Sequence, residues 1–220
     1  MSSGKRFKFA GSQIQVLTEF DASSSDLITA ISQANPAVVT EVGHGRADGD
    51  VVMLDNVVGM TEVNGGTYVI EVLTVDTYSL LETNSTGYGA YVSGGEVASG
   101  VFSNLCELTG YNRSGGSSPE IDVTTICSEA QEFEVGLPDF GTTQLDYNFA
   151  PQTTIQLAIA DYYSGSHKGE KTAVKVVLPN NGGTMVQIGT IQQTSEQAAV
   201  NGIWTASLTI RNTGSRKDFA

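Results

Sequence analysis

Short runs rich in Val, Ile, Thr and Tyr recur along this 220-residue chain, and Gly, Asn and Ser separate one run from the next. β-branched and aromatic residues favour strands, whereas Gly, Asn and Ser mark the turns between them. The presence of 25 Gly but only five Pro agrees with many turns and few breaks inside the runs. The pattern predicts an all-β protein, and a hydrophobic fraction of 40% is enough for a packed core.

One segment, Pro151–Gly165, has the periodicity of a helix instead. Its apolar side chains fall at positions i, i+3, i+4, i+7 and i+8, and they are Ile155, Ala158, Ile159, Tyr162 and Tyr163. A Pro near the start and a Gly near the end are typical of helix boundaries. We therefore expect one α-helix that flanks the strands.

The order of the runs predicts three parts. Ser12–Phe20 alternates like a first strand, and the polar stretch Asp21–Asp26 is expected to be a linker. Residues 27–95 form a self-contained block of short β-runs, which predicts a small inserted β-barrel domain. We expect residues 1–26 to supply an N-terminal arm and the first strand of the main domain, and residues 96–220 to supply the rest of it.

Local signals predict two turns and a frayed C-terminus. The stretch "VNGG" (Val63–Gly66) contains the Asn-Gly pair of a tight hairpin, and "NNGG" (Asn180–Gly183) predicts another hairpin turn. The C-terminal sequence "GSRKDFA" is polar and basic, and we expect it to be frayed.

Acidic residues outnumber basic residues by 24 to 11, which gives a formal net charge of −13. A protein that grips DNA needs clustered cations to displace counterions, so this balance argues against binding to nucleic acid or to anionic membranes. No stretch approaches the roughly 20 apolar residues of a membrane span, and the N-terminus lacks the apolar core of a signal peptide. We expect synthesis in the cytoplasm and no membrane partner.

The sequence lacks motifs for catalysis. His44 has Asp48 and Asp50 nearby, but a turn with an exposed histidine accounts for that stretch. Glu132 and Glu134 alternate with apolar neighbours, as carboxylates do on the solvated face of a strand. We expect no enzymatic activity.

Metal and cofactor sites are also not predicted. The two cysteines, Cys106 and Cys127, are too far apart for a CxxC motif, and only two histidines are present. Reduced thiols are the rule in a cytosolic protein, so we expect both cysteines to be buried and free. We expect no cofactor.

An extended pattern runs through "LCELTGYNRSGGSSPEIDVTTICSEAQEFEVGLPDFGTTQLDYNFAP" and continues into the helix and the last strands. With this pattern, the second half of the chain resembles the tail tube proteins of long-tailed bacteriophages, of the siphovirus type. The resemblance covers about residues 100–212, and residues 11–20 match as a first strand. The resemblance implies a β-sandwich with a flanking helix, in which six subunits form a ring and rings stack into a hollow tube.

This resemblance also implies a structural role in the virion tail. The tube would conduct DNA to the host cell without specific binding, and it would enclose a tape-measure protein. Its further partners would be a tail terminator and distal tail or baseplate proteins. Carboxylates on the tube wall would repel DNA over a Debye length of about 8 Å, whereas wall cations would add drag.

Residues 38–95 contain, in order, the elements "H-G", "G-D-x-V", "G-M-x-x-V-N-G-x-x-Y", "S-T-G-Y" and "S-G-G". With these elements the segment resembles a second family, the first-catalytic-cysteine half-domain of ubiquitin-activating enzymes, which is a small β-barrel that recurs in phage tail proteins. No ubiquitin chemistry is implied, because this segment contains no cysteine. The resemblance implies a module that decorates or stiffens a tail, with its acids facing outward.

The tail-tube resemblance points to a loop between subunits or rings. The segment has no apolar period and consists of Tyr111, Asn112, Arg113, Ser114, Gly115, Gly116, Ser117, Ser118, Pro119 and Glu120. An assembly arm and a disordered surface loop both fit this composition. In the first case, Arg113 would pair with an acid across the interface.

The stretch "GLPDFGTTQLDYNF" (Gly136–Phe149) predicts a corner followed by an alternating strand. One face of that strand would carry Leu145, Tyr147 and Phe149, and the other would carry Gln144, Asp146 and Asn148. An inner strand of a tube and an ordinary sandwich strand both fit this pattern. The candidate lumen acids are Glu132, Glu134, Asp139 and Asp146.

The alternative function is that of a carbohydrate-binding or adhesin-like β-protein of the tail, which needs exposed aromatic residues on a flat face. Trp204 is the only Trp and lies in an alternating stretch, so we expect it in the core. A small hydrolase acting through His44 is a third hypothesis.

Overall fold

The computed structural model describes residues 6–220, apart from the side chains of residues 22–27. Strands are the main regular structure in this part of the chain, which contains a single α-helix, so the all-β prediction is confirmed. The strands are β1 (Gln13–Leu27), β2 (Ala30–Ile31), β3 (Ala37–Thr40), β4 (Val51–Val58), β5 (Gly66–Thr74), β6 (Thr77–Leu80), β7 (Ser93–Asn104), β8 (Leu108–Ser114), β9 (Glu120–Asp122), β10 (Phe133–Val135), β11 (Thr142–Asn148), β12 (Lys171–Val177), β13 (Thr184–Gln197), β14 (Thr205–Asn212) and β15 (Lys217–Phe219). The α-helix α1 covers Thr154–Ser164, and a single 3₁₀ turn covers Thr61–Val63.

Antiparallel pairing joins most strands into one sheet, in the order β2-β3-β6-β5-β4-β7-β1-β12-β13-β14-β11-β8, with β15 added to β13. Strands β7 and β8 lie at opposite ends of the last seven strands, yet only residues 105–107 connect them along the chain. These seven strands must therefore curl until their ends meet, and they form the main domain. Strands β9 and β10 form a separate two-stranded sheet.

The curled sheet encloses the core of the main domain. Buried side chains from β1, β11, β12, β13 and β14 pack together there, with Leu145 and Leu208 fully buried. Helix α1 adds Ile155, Ile159 and Tyr162 to the same cluster. The predicted flanking helix is confirmed, although it begins three residues beyond Pro151 because Thr153 is its N-cap.

A second core lies in a module built from β2 to β6 and the first part of β7. Its buried side chains include Leu54, Met60, Ile70 and Tyr78. Strand β4 pairs with both β5 and β7, so the module and the main domain share a continuous sheet.

The linker expected at Asp21–Asp26 is wrong, because β1 continues through it to Leu27. The β7 backbone pairs with this stretch, with Asp21 opposite Ser99 and Leu27 opposite Glu96, across a register shift. Polar composition favours a loop, but unpaired backbone groups beside β7 would lose their hydrogen bonds.

One of the two predicted hairpin turns is confirmed. Asn180 and Asn181 both have positive φ, and the Leu178 N–H donates to the Gly183 carbonyl. The tight hairpin expected at Val63–Gly66 is wrong, because β4 ends at Val58 and the 3₁₀ turn intervenes. There, the Asn64 side chain accepts a hydrogen bond from the Val57 N–H at 2.9 Å and donates one to the Val57 carbonyl at 3.0 Å. These two bonds replace those that the backbone of a partner strand would make.

A buried ion pair crosses the base of the module. Arg46 Nε and Nη2 donate to the two carboxylate oxygens of Glu41 at 3.1 and 2.9 Å. The Tyr78 hydroxyl also donates to Glu41, at 2.7 Å, and Arg46 Nη1 donates to Ser99 Oγ at 2.6 Å. Glu41 is only 1% exposed, so these bonds replace its water shell. Burial, followed by the bond to Glu41, raises the pKa of Tyr78.

His44 lies beside this ion pair in a structural role. It is half-buried rather than exposed, and its ring meets Tyr78 edge-on at 5.2 Å. Its Nε2 lies 3.0 Å from the Thr74 carbonyl, and its Nδ1 accepts the Arg46 N–H. Both ring nitrogens are used in holding the loop that carries Arg46.

The C-terminal segment, expected to be frayed, is instead docked at the junction of the module and the main domain. Strand β15 pairs with β13, and Phe219 packs against a third apolar cluster formed by Leu17, Val51, Val69, Ala173 and Val186. Lys217 Nζ forms an ion pair with Glu82 of the module at 2.6 Å. The polar composition of this segment does not prevent its docking, because the start of β13 has unpaired backbone groups that β15 can bond and an apolar cluster that Phe219 can cover.

Candidate assembly surfaces

Strand β8 is an open edge of the main domain. Within residues 6–220, β8 pairs with β11 on one side and with no strand on the other. An open edge presents unpaired N–H and carbonyl groups to any suitable strand of another molecule. Arg113 lies on this strand, and its Nε is buried without a hydrogen-bond partner in the described structure. The free side of β8 can therefore pair with a strand of another molecule.

Beyond β8 the chain leaves the sheet and returns only at β11; we call residues 115–141 the arm. Its two strands, β9 and β10, pair with each other and with no other described strand. Five apolar side chains of the arm are at least half exposed: Ile121, Ile126, Phe133, Val135 and Leu137. Exposed apolar residues in such density on one segment mark an interaction surface.

Two glycines close the base of the arm. Gly115 and Gly141 have φ of +85° and +75°, and a Cβ on Gly115 would lie 2.6 Å from the Gly141 Cα. The flanking residues Ser114 and Thr142 are paired across β8 and β11. The two ends of the arm thus meet where a two-residue hairpin turn would fit.

The return corner at the arm base is held by polar contacts. Asp139 accepts the Gly141 N–H at 2.8 Å and forms an ion pair with Arg211 at 2.8 Å. The hydrogen bond from Gly141 is the main cause that lowers the pKa of Asp139, with Arg211 contributing. Asn212 donates to the Phe140 carbonyl at 3.1 Å. The "GLPDFG" corner therefore anchors the end of the arm to β14.

The outer face of β8, β11, β14 and β13 carries hydroxyl and amide side chains, and we call it the polar face. On β11, alternate residues are buried and half-buried, which confirms the predicted alternation. The strand registers align the outward residues, which are Thr142, Gln144, Asp146, Asn148, Thr205, Ser207, Thr209, Arg211, Gln193, Ser195, Gln197, Asn112 and Ser114. Only Asp146 and Arg211 among them are charged, and Arg211 is paired with Asp139.

Hydrogen bonds run along the polar face between neighbouring side chains. Ser195 and Ser207 hydroxyls lie 2.7 Å apart, and Gln144 donates to Asp146 at 2.9 Å. This face offers water many donors and acceptors. It offers a phosphate group no cation other than the already paired Arg211.

The structure divides the predicted loop of residues 111–120 between two elements. Its first four residues belong to β8, where Tyr111 packs against the core, and Glu120 begins β9. The sequence predicted either an assembly arm or a disordered loop for these residues, and neither prediction included the strand that residues 111–114 form. Pairing of β8 with β11 was not visible locally, since "TGYNRS" has no alternation of apolar and polar residues.

The four candidate lumen acids do not share one surface. Glu132 and Glu134 lie on the arm, and Asp139 lies in the corner at its base. Asp146 alone lies on the polar face.

Sequence reasoning placed three chemically distinctive side chains wrongly. Cys106 and Cys127 are exposed rather than buried, since one lies in the turn between β7 and β8 and the other at the arm tip. Trp204 is 56% exposed rather than part of the core, in the connection before β14, with its ring 6.0 Å from Phe149. Ile203 beside it is also exposed.

No arrangement of the described residues fits catalysis by a serine triad. Ser166, His167 and Asp161 lie together after α1, but Ser166 Oγ and Asp161 Oδ2 both bond the same ring nitrogen, His167 Nδ1. A triad needs the serine and the acid on opposite nitrogens. Among residues 6–220, no cluster of ligands that could hold a metal ion is found, and no helix is long and apolar enough to cross a membrane.

Comparisons with known proteins match two parts of the chain. A family model described as the FCCH domain of ubiquitin-activating enzyme E1 matches residues 34–99. Ubiquitin-like modifier-activating enzyme 1 of Oryctolagus cuniculus is 37% identical over 78 residues, which is 34% of this chain and 7% of that enzyme. The chain thus spans only a small part of that relative's length. The family match falls on the module, whose sequence resembles the same half-domain.

Two solved structures are similar to about half of the chain. One is the tail of an empty GTA particle with C6 symmetry, at 15% identity and a TM-score of 0.43, covering 54% of this chain and 87% of that chain. The other is the SPP1 tail tube, at 13% identity and a TM-score of 0.42, covering 55% of this chain and 69% of that chain.

Proposed function

We propose that this chain is a structural virion protein that polymerises into stacked hexameric rings and so forms the hollow tail tube of a siphovirus-type bacteriophage. The observation that carries the proposal is the arm, which lies beside an open sheet edge and exposes apolar side chains, and whose two strands pair with no other strand among the described residues. A monomer gains nothing from such a segment and risks aggregation. The ordered sequence pattern shared with tail tube proteins supports the same role.

Ring closure would remove the open edge of β8. In a closed ring, each copy pairs its β8 edge with a neighbouring copy, which satisfies the backbone groups of both. Arg113 would then meet an acid across the interface, since its Nε has no hydrogen-bond partner in the described structure. A buried N–H group without an acceptor is costly, so such a contact would stabilise the ring at this point.

The polar face would form the wall of the bore. It bears no exposed apolar patch, and its one cation is already paired with Asp139. DNA would find no counterion-releasing contacts there, and Asp146 is the candidate bore acid that repels phosphate. DNA and a tape-measure protein would therefore slide along hydroxyl and amide groups without specific binding.

The module would face outward with the acids of its surface. Of the eight acids in residues 27–95, Glu41 is buried and paired with the single base, Arg46, which contradicts the expectation that all of them face outward and leaves seven at the surface. Like charges on the outside keep neighbouring tubes apart in solution. The tail terminator and the distal tail or baseplate proteins would bind the two ends of the tube. The finished protein would reside in the virion tail after synthesis in the host cytoplasm.

Shortening the arm tests this proposal. Deleting residues 116–140 joins Gly115 to Gly141 as a Gly-Gly hairpin between the paired residues Ser114 and Thr142, and both glycines already have the positive φ of a type I′ turn. The variant should keep its circular dichroism spectrum but form no hollow filaments by negative-stain electron microscopy. The full chain should form stacked-ring filaments as its concentration rises.

A full chain that remained monomeric at every concentration, temperature and salt would contradict a tube. A shortened chain that assembled as well as the full chain would instead contradict the role of the arm in assembly.

One observation favours the alternative of a carbohydrate-binding or adhesin-like protein. Trp204 is exposed and its ring lies 6.0 Å from that of the half-buried Phe149, and aromatic faces bind sugar rings. A glycan array discriminates the two functions, because a tube subunit should give no hits. Hits lost on Trp204→Ala would support the alternative.

A further inference from the structure

We infer that the arm of one copy docks into a groove beside the N-terminal segment of the next copy, in a head-to-tail contact between rings. The groove lies between residues 9–14 and the β7–β8 turn, and its volume is about 260 Å³. Its lining includes Phe9, Leu105, Cys106 and Leu108. This inference rests on the proposed self-assembly and names the surfaces that make it.

Charge complementarity points to this pairing. The arm contains six acidic residues and no Lys or Arg. One of the six, Asp139, is paired with Arg211, and the other five lie between Glu120 and Glu134. The N-terminal segment carries Arg6 and Lys8, both exposed. Within the part of the chain that the structure describes, neither cation forms an ion pair. Apart from Asp139, the acids of the arm form no ion pair within the described residues either, so both segments keep charge that an opposite segment could neutralise.

Apolar surface is matched in the same way. Ile126 at the arm tip is fully exposed, at 105%. Phe9 at the groove is 52% exposed, and Leu108 is partly buried beside it. An aliphatic tip entering an aromatic-lined groove would bury both surfaces, and flanking charges would fix its orientation.

The arm and the groove are attached at opposite ends of one strand. The arm leaves β8 at Ser114, whereas the groove lies against Leu108. Six residues of extended chain separate these two points by about 20 Å. A contact between two different patches, one on each copy, is heterologous, and such contacts propagate stacks.

The two native cysteines provide a direct test. Cys127 lies at the arm tip beside Ile126, and Cys106 lines the groove, and both are exposed. Docking would bring Cys127 of one copy next to Cys106 of the next. A short bis-maleimide added to assembled protein should therefore give a ladder of dimers, trimers and higher multimers on a denaturing gel.

Cys106→Ser and Cys127→Ser should each remain monomeric on the gel, because each variant leaves the remaining thiol opposite a serine. Both variants should still form filaments, since both cysteines are free and exposed. Efficient dimers in either single-cysteine variant would contradict the pairing, because they would place two copies of the same cysteine side by side.

Charge reversal gives an independent test without cross-linking. Glu129→Lys/Glu134→Lys on the arm should raise the concentration needed for filaments at least about tenfold, and Arg6→Glu/Lys8→Glu should do the same. Combining both pairs in one chain should restore assembly. The matched control, Glu71→Lys/Glu170→Lys, changes the same charge at exposed sites elsewhere and should assemble normally.

The outcomes separate this inference from the proposed function. Filaments that give no ladder, or that tolerate each charge reversal alone, would overturn the docking while the tube stands. A full chain that forms neither filaments nor a ladder would overturn both.

Discussion

Glu41 is the residue whose burial is least expected from its chemistry. A lone buried carboxylate would be protonated or would unfold the module, because moving a charge out of water costs several kcal/mol. Here Arg46 meets both oxygens in a forked geometry, and Tyr78 fills the remaining acceptor position. The network ties the loop after β3 to β6 and, through Ser99, to β7.

Replacing Arg46 by Met tests this network. The change leaves Glu41 buried and unpaired, so we expect a loss of about 3–5 kcal/mol in the free energy of unfolding. Urea denaturation followed by circular dichroism measures it. Tyr78→Phe, which removes one bond to a charged group, should cost less, about 1.5–3 kcal/mol.

A second variant separates unpaired charge from lost packing. Glu41→Gln/Arg46→Met removes the buried charge but keeps an acceptor for Tyr78, so it should be more stable than Arg46→Met alone. Equal stability of the two variants would show that the side-chain stem of Arg46, rather than its charge, stabilises the module.

Among the elements, α1 ends in an unusual way. Asp161 lies in the last turn, where a carboxylate meets the negative end of the helix dipole. It is compensated by hydrogen bonds from the Ser166 N–H, at 2.8 Å, and from His167. The bond from His167 is the main cause that lowers the pKa of Asp161, and the same bond raises the pKa of His167.

The raised pKa of His167 predicts a pH-dependent helix end. A raised pKa stabilises the fold fully below the unfolded value of 6.5, and this contribution is lost as pH rises through the folded pKa. The lowered pKa of Asp161 has the opposite effect, because the stability that it contributes is lost as pH falls through the pKa of Asp161 in the folded protein. The helix end should therefore be most stable at a pH above the pKa of Asp161 and below the pKa of His167.

A titration of the His167 ring proton by NMR checks this. In Asp161→Asn the pKa of His167 should fall toward its ordinary value, because the main cause of the shift is gone. Glu170→Gln is the control, since Glu170 is a smaller contributor, and it should lower the pKa less. An unchanged pKa in Asp161→Asn would show that the pair does not form in solution.

At the scale of the whole molecule, the module is a side branch of the main domain. The chain enters it along β1 and leaves along β7, and Asp21 faces Ser99 where the two strands diverge from the main domain. Its own core is separate from that of the main domain, and a third cluster joins the two. A deletion of the module would thus leave the core strands of the proposed tube intact.

We expect a chain in which Asn-Gly replaces residues 22–98 to form filaments with a smaller outer diameter. The Asn-Gly pair suits a two-residue hairpin between Asp21 and Ser99. Electron microscopy would measure the diameter, and the full chain at equal concentration is the control. A folded variant that forms no filaments would place the module in the tube wall rather than on its outside.

Local patterns were enough to predict many features. The alternation in β11 identified its buried face, the 3.6-residue period identified α1, and Asn180 and Asn181 identified a hairpin turn. Each of these depends on neighbours within a few residues. The composition likewise predicted the all-β class.

Features that depend on distant partners were missed. The polar end of β1, the strand β8 and the basic C-terminal segment all became strands because an open backbone edge lay beside them. Trp204 and the two cysteines were misplaced because their exposure depends on which turn or arm carries them.

By itself, the sequence determined which segments alternate between apolar and polar residues and which segment is helical, since both follow from side chains a few positions apart. It also determined how acidic the chain is. Only the tertiary structure decided which edges stay open, which acids share a face and how the arm departs between two glycines. Those outcomes depend on pairing between residues far apart in the chain, and backbone hydrogen bonds made there outweigh local preference.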